Sequence, residues 1–460
     1  MTREQAIDVQ GFLNEHGFTG YQWLIFGLCF LVVLLDGFDT AAIGYIAPSL
    51  LAEWHVTRPE LGPVLSAALF GLAIGALTTG PLADRLGRRY LLIGSVLVFA
   101  LACLASSLSA DLAQLTLLRF FTGVGLGAAM PNAVTLMSEY CPDRRRATLT
   151  NAMFCGFPLG AALGGFLAAW MIPLWGWRSV LVLGGITPAV LAALMLTVLP
   201  ESVRYMVAKG YSVERIRAAL RRISATAATQ TFVLTEPRPA GTAKSGLGTI
   251  FSASYAVGSV MLWISYFMGL VIFYALINWM PILFKDAGLD PKTATLISAL
   301  FPLGGVGAVF FGFLMDRANG NVVIAVGYVL TAILVFLIGR AAGTEAALVV
   351  TVFAAGVLMN TAQSSMPALA AGFYPTQGRA TGVAWMLGMG RFGGIAGSFL
   401  VAELTRRQLG LSSIFAIVAV PGLIAAVALF VKQMAHPESA AEHDATRVEA
   451  HDHHDEVLGH

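Results

Sequence analysis

The chain has 460 residues, of which 57% are hydrophobic and only 12% charged, with a formal net charge of +2. Soluble globular domains carry about twice that share of charge, so a soluble protein is excluded and the bilayer is the fitting solvent. Apolar runs of roughly 20 residues, each long enough to cross a hydrocarbon core of about 30 Å as a helix, recur along the whole sequence.

In chain order, Met1 to Phe18 is polar and lacks the apolar core of a cleavable signal peptide, so the first span is expected to stay in the membrane as its own insertion signal. Spans are predicted near 22–48, 60–83, 89–108, 112–137, 147–172 and 178–200, then 256–284, 292–315, 321–339, 345–369, 380–403 and 411–434. The expected division is a cytoplasmic segment 1–21, a six-helix half 22–200, a cytoplasmic central loop 201–255, a second six-helix half 256–434 and a disordered cytoplasmic tail 435–460. The loop holds a basic amphipathic stretch, Val213 to Arg222, predicted as a surface helix. Six of the eight histidines fall in the tail and none in a predicted span, so proton chemistry within the membrane would have to use carboxylates. The four cysteines, Cys29, Cys103, Cys141 and Cys155, have neither disulfide nor metal spacing and read as apolar packing residues.

With both termini placed in the cytoplasm, cytoplasmic segments hold 19 lysines and arginines and outer segments 7. Without the central loop the count is still 11 against 7, so the positive-inside rule puts both termini inside. The halves also repeat. Gly80-Pro81-Leu82-Ala83-Asp84-Arg85 recurs as Gly312-Phe313-Leu314-Met315-Asp316-Arg317. Arg146-Ala147-Thr148 recurs as Arg379-Ala380-Thr381, and in that register Gly160 and Gly164 fall on Gly393 and Gly397. Two like halves are the layout of a secondary transporter that rocks about a central site.

Several segments carry a family resemblance. Gly80 to Arg89, with Asp84, Arg85, Gly87 and Arg88, resembles the signature loop of the major facilitator superfamily. Arg119-Phe120-Phe121-Thr122-Gly123-Val124-Gly125-Leu126-Gly127 resembles its second motif, and Pro200-Glu201-Ser202-Val203-Arg204-Tyr205 a third, with Val203 where proline is commoner. Asp36-Gly37-Phe38-Asp39, together with Gly388 to Gly394, is similar to the aromatic acid:proton symporter branch, which takes up benzoate-like and hydroxybenzoate-like anions for catabolism. The resemblance implies an all-α membrane protein of twelve helices in two pseudo-symmetric halves, in a bacterial-type inner membrane.

Asp36 and Asp39 lie three apart near the middle of span 1 and so share a helix face. A carboxylate there costs about 2.5–3.5 kcal/mol on insertion scales unless it meets a cavity or a partner. Because protonation responds to burial and to nearby cations, the pair is assigned to proton coupling; the competing reading is a buried structural acid. Arg119 would tune those acids or brace helices. Glu139 is counted with this proton-coupling set, although pairing with one of Arg144, Arg145 and Arg146 at the gate is its preferred reading.

Arg391 sits near mid-membrane among glycines, and its guanidinium can hold a carboxylate through two parallel hydrogen bonds. It is assigned to the substrate carboxylate, a permanent ion pair with Asp36 or Asp39 being the alternative. Tyr266, Tyr274, Trp385 and Phe38 are the candidates for stacking on an aromatic ring, and Gln363 for a ring hydroxyl. In the repeat, Arg391 matches Pro158 and Asp36 matches Gly269, so each charge is particular to its own half. Asp84, Arg85, Arg88 and Arg89, with Asp316 and Arg317 as their reduced copy and Arg144 and Arg379 nearby, read as a charge latch, a topology anchor, or both.

No nucleophile–base set, phosphate loop or metal spacing is present, so neither an enzyme nor a cofactor is expected. The expected partners are the lipid bilayer, a proton and a small aromatic carboxylate, carried by a monomer, with no nucleic acid. The alternative is a carrier of the same fold for another organic anion, a sugar or an exported drug.

Overall fold

Within lipid, a backbone must satisfy its own polar groups, and uninterrupted apolar runs therefore become helices. The structure, a computed structural model, describes residues 6–233, 248, 250–252, 254–307, 319–341, 344–374 and 376–436. After a short strand β1 (Ala6–Asp8) come helices α1 (Val9–Glu15), α2 (Gly20–Trp54), α3 (Leu61–Leu86), α4 (Arg88–Ser107), α5 (Leu112–Glu139), α6 (Asp143–Phe154), α7 (Gly156–Trp175) and α8 (Arg178–Val198). The central region holds α9 (Val203–Ala208), α10 (Val213–Leu220) and β2 (Thr231–Val233). The second part holds α11 (Ala256–Asp286), α12 (Pro291–Leu303), α13 (Gly320–Ala341), α14 (Glu345–Phe373), α15 (Thr376–Arg406) and α16 (Leu411–Ala435).

Ten helices among the described residues are long and apolar enough to cross a membrane, α6 and α7 together making one of them. The two other predicted spans differ for separate reasons. That at 380–403 is α15, 31 residues long but rich in glycine and polar side chains. That at 292–315 starts as α12 and runs beyond Gly307 outside the described residues. The first helix extends past its expected end at 48 because Ser49 to Trp54 continue it without a breaker until His55 turns left-handed, with φ of 52°.

Where helices cross, glycines bring backbones into contact, and the same crossings occur in both halves. A side chain at Gly160 would run into the carbonyl of Leu34, and one at Gly393 into that of Phe267. A side chain at Gly123 would meet the carbonyl of Ala68, and one at Gly356 that of Phe301. In both cases the two partners of the second crossing are the repeat counterparts of the partners in the first. The register read from a few shared residues is thus a register of packing, built on small residues that admit close helix approach.

The N-terminal residues and the central loop form one layer at the end of the first half. β1 pairs in parallel with β2, Ala6 opposite Thr231. Phe12 of α1 packs edge-on against Phe232, with ring centroids 5.2 Å apart. Gln10 donates to the carbonyl of Cys141 at 3.1 Å, and Asn14 to Asp143 at 2.7 Å. The predicted surface helix is α10, with Ile216 and Leu220 buried.

Candidate substrate and proton site

The predicted acids of span 1 both lie on α2 and are buried, but their partners differ. Arg119 of α5 reaches Asp39: its Nη1 is 2.6 Å from Oδ1, and its Nη2 donates to the Asp39 carbonyl at 3.2 Å. Both side chains are sealed within the first half, at 0% and 1% exposure. The Cys103 thiol approaches the same Oδ1 at 3.5 Å. Asp39 Oδ2 and Arg119 Nε have no hydrogen-bond partner among the described residues. Asp36, one turn away, receives a 3.4 Å hydrogen bond from Thr40 and forms no ion pair among the described residues. The cation in its electrostatic neighbourhood is Arg391.

Arg391 enters from α15 and crosses between the halves, its Nη1 donating to the carbonyl of Leu72 on α3 at 3.0 Å. It makes no ion pair among the described residues, and the groups it acts on electrostatically are Tyr274, Asp36 and Tyr266. The glycines around Arg391 seat those tyrosines: a side chain at Gly390 would strike the ring of Tyr266, and one at Gly394 the ring of Tyr274. Beside this group a small cavity is lined by Thr40, Leu69, Leu72, Arg119, Tyr274 and Asn278.

One support of this site, Tyr328, was not among the residues singled out from the sequence. Tyr328, fully buried on α13, donates to Gln363 Oε1 at 2.7 Å, and Gln363 Nε2 donates to the Tyr266 carbonyl at 3.4 Å. Gly269 makes room for that bridge, since a side chain there would collide with the amide of Gln363 and the hydroxyl of Tyr328. Asn278, four positions beyond Tyr274 on α11, donates to Ser398 at 2.9 Å, and its Oδ1 is buried with no partner among the described residues. Tyr328 lies on α13, a different helix from Tyr266 and Tyr274 on α11, so no spacing along one helix pointed to it.

Two predicted ring-stacking residues lie elsewhere. Trp385 precedes Arg391 by six positions, a rotation of about 600° on an α-helix, so it leaves by the other face of α15. There it is 41% exposed and stacks on Trp263 at 5.6 Å. Phe38 is half a turn round from Asp36 and fills the space left by Gly164 and Gly184 inside the first half.

Glu139 stands apart from the other acids. It ends α5, about 30 Å along the helix from Arg119 at roughly 1.5 Å per residue. It pairs with Arg88 at 2.9 Å and accepts from the Ser202 hydroxyl. The expected partner among Arg144, Arg145 and Arg146 is therefore corrected to Arg88, because α4 begins beside the end of α5. Arg144 and Arg145 are exposed, and Arg146 pairs with Asp143 at 2.8 Å.

In the signature loop, Gly87 turns with φ of 89°, and the Glu201 carboxylate caps the start of α4, accepting from the backbone of Arg88 at 3.0 Å and Arg89 at 3.1 Å. An anion there satisfies amides that the first helical turn leaves unpaired. Arg85 offers its carbonyl to Tyr205, and Arg89 donates to the Leu196 carbonyl. All these contacts stay within the first half and the start of the central loop. Asp316 and Arg317 lie outside the described residues, as do the side chains at Gly80, Asp84 and Arg379.

The model of the Major Facilitator Superfamily matches residues 29–320 and 262–451. A 4-hydroxybenzoate transporter, PcaK, of Acinetobacter baylyi is 46% identical over 443 residues, covering 95% of this chain and 97% of the relative. A PcaK of Pseudomonas aeruginosa is 48% identical over 93% of this chain and 96% of its own length. A gallate transporter of Pseudomonas putida is 45% identical over 93% and 95%. Among solved structures, a D-xylose-proton symporter superposes with a TM-score of 0.70, covering 89% of this chain and 98% of that one at 19% identity, which bears on the fold alone. The chain belongs to the major facilitator superfamily, among its aromatic acid transporters, and is a multi-pass membrane carrier rather than an enzyme.

Proposed function

We propose that the protein takes up a small aromatic carboxylate, such as benzoate or a hydroxybenzoate, together with a proton by alternating access. The observation that carries this reading is Arg391: a guanidinium between the halves that bonds to a backbone carbonyl, pairs with no carboxylate among the described residues and is flanked by Tyr266 and Tyr274. An anionic substrate supplies the missing charge, and two tyrosines supply apolar faces with a polar edge. The names of the relatives support an aromatic acid as that anion.

In the cycle, Asp36 takes the proton because it is buried, lacks an ion-pair partner among the described residues and shares the field of Arg391. Asp39 and Arg119 set the charge of its surroundings. Anion on Arg391 and proton on Asp36 leave the interface between the halves without net added charge, which lowers the cost of closing it. Residues 22–200 rock against 256–434, with both termini in the cytoplasm of a bacterial inner membrane and the carrier working as a monomer. Glu139, Arg88 and Glu201 hold the cytoplasmic ends of the first half as one rigid piece.

The test is uptake of radiolabelled benzoate and hydroxybenzoates into proteoliposomes, with and without an inward proton gradient. Accumulation that depends on the gradient and is lost in Arg391→Ala supports the reading. Folded protein that takes up none of these acids refutes it.

A further inference from the structure

A second cavity lies away from the central site, where the ends of α2 and α11 meet the start of α3 and the end of α15. It is an open depression of about 620 Å³ whose lining includes Leu51, Val56 and Ile282 together with Arg58, Lys285 and Arg406. That volume is within the range of small-ligand sites. On the orientation proposed above, this end is the outer one.

The charges here are unequal. Arg58 pairs with Asp286 at 2.8 Å, the one ion pair that joins the two halves among the described residues. Arg406 is held by Glu403. Lys285 donates to the carbonyl of Pro48 at 3.3 Å and has no carboxylate partner in the described residues. The Arg58–Asp286 pair is open to solvent, with 48% and 30% of the two side chains exposed, and a pair so exposed contributes little net attraction. A second carboxylate can therefore take the place of Asp286 at little cost.

We propose that this vestibule is an entry site for the aromatic carboxylate, where the anion exchanges with Asp286 for Arg58 and Lys285 and so unfastens the outer end. The ring lies against Leu51 and Val56, a pairing of apolar surface and cation that suits an aromatic acid and gives a sugar no charge to meet. The proposal rests on the uptake reading above and adds a recognition step before Arg391.

The test compares initial uptake of radiolabelled 4-hydroxybenzoate by intact cells carrying the wild type, Arg58→Gln, Arg58→Lys or Asp286→Asn. Capture predicts opposite signs: Arg58→Gln raises KM about fivefold or more, and Asp286→Asn lowers it because the competing carboxylate is gone. Arg58→Lys keeps the charge and remains within about twofold of the wild type. The Arg58→Gln effect shrinks at high ionic strength, as expected for attraction of a charged ligand at an exposed site. If Arg58→Gln and Asp286→Asn shift KM in the same direction, the pair is a latch only and the proposal is overturned; an unchanged KM in Arg58→Gln overturns it as well. A wild type that takes up no aromatic acid would instead defeat the uptake reading itself.

Discussion

Two acid–base pairs sit within a turn of one another on α2, and they are built in opposite ways. Asp39 and Arg119 are closed on each other at 2.6 Å, inside one half, with no exposure to speak of. Asp36 and Arg391 belong to different halves, share an electrostatic field and form no ion pair. A pair closed within one half would keep its geometry in the proposed rocking motion. On the alternating-access reading proposed above, a pair divided between halves changes with every rocking step and leaves its cation available. The difference separates what holds the first half together from what can respond to cargo.

The largest expected effect tests the closed pair. Removing one member of a buried ion pair leaves an uncompensated charge, at a cost of about 3–5 kcal/mol. Asp39→Asn and Arg119→Leu are each expected to lower the melting temperature of the purified carrier in detergent by many degrees. The double variant Asp39→Leu with Arg119→Leu recovers much of that loss. Single variants as stable as the wild type would remove the structural half of the comparison.

Arg391→Ala comes next, with kcat/KM for the aromatic acid falling roughly 30-fold or more, a loss of about 2 kcal/mol or above, while the melting temperature stays near that of the wild type. Proteoliposome kinetics alongside thermal unfolding separate the two quantities. Tyr328→Phe is expected to cost about 1 kcal/mol, the net worth of a typical hydrogen bond, seen as a several-fold rise in KM when Gln363 is released from its anchor. Trp385→Ala is the smallest: it faces away from Arg391, so KM remains within about twofold. A large KM change at Trp385 would mean that substrate contacts the other face of α15.

Ten of the spanning helices were legible because apolar length alone selects them, and the repeat was legible because the glycines at crossings cannot be exchanged for larger residues. Gly160 and Gly393 show this most directly, pressed against the carbonyls of Leu34 and Phe267, which stand in the same repeat register as the glycines themselves. Arg391 with Tyr266 and Tyr274 was legible as a set because one cation and two polar rings stand out in apolar spans. The choice of Arg119 for Asp39 over Asp36 was not, since it depends on how the distant helix α5 packs on α2. The partner of Glu139 was hidden for the same reason, and so was the pairing of β1 at the start of the chain with β2 in the central loop. The placement of Trp385 was within reach of sequence reasoning, because six positions carry a helix to its other face.

In the proposed cycle Asp36 carries the coupled proton and Arg391 the anion. The measurement that tests it most directly sets counterflow against accumulation in Asp36→Asn proteoliposomes loaded with 4-hydroxybenzoate. Exchange of labelled for unlabelled substrate is expected to persist, while accumulation driven by an inward proton gradient is lost. Gradient-driven accumulation at the wild-type level in Asp36→Asn would contradict it.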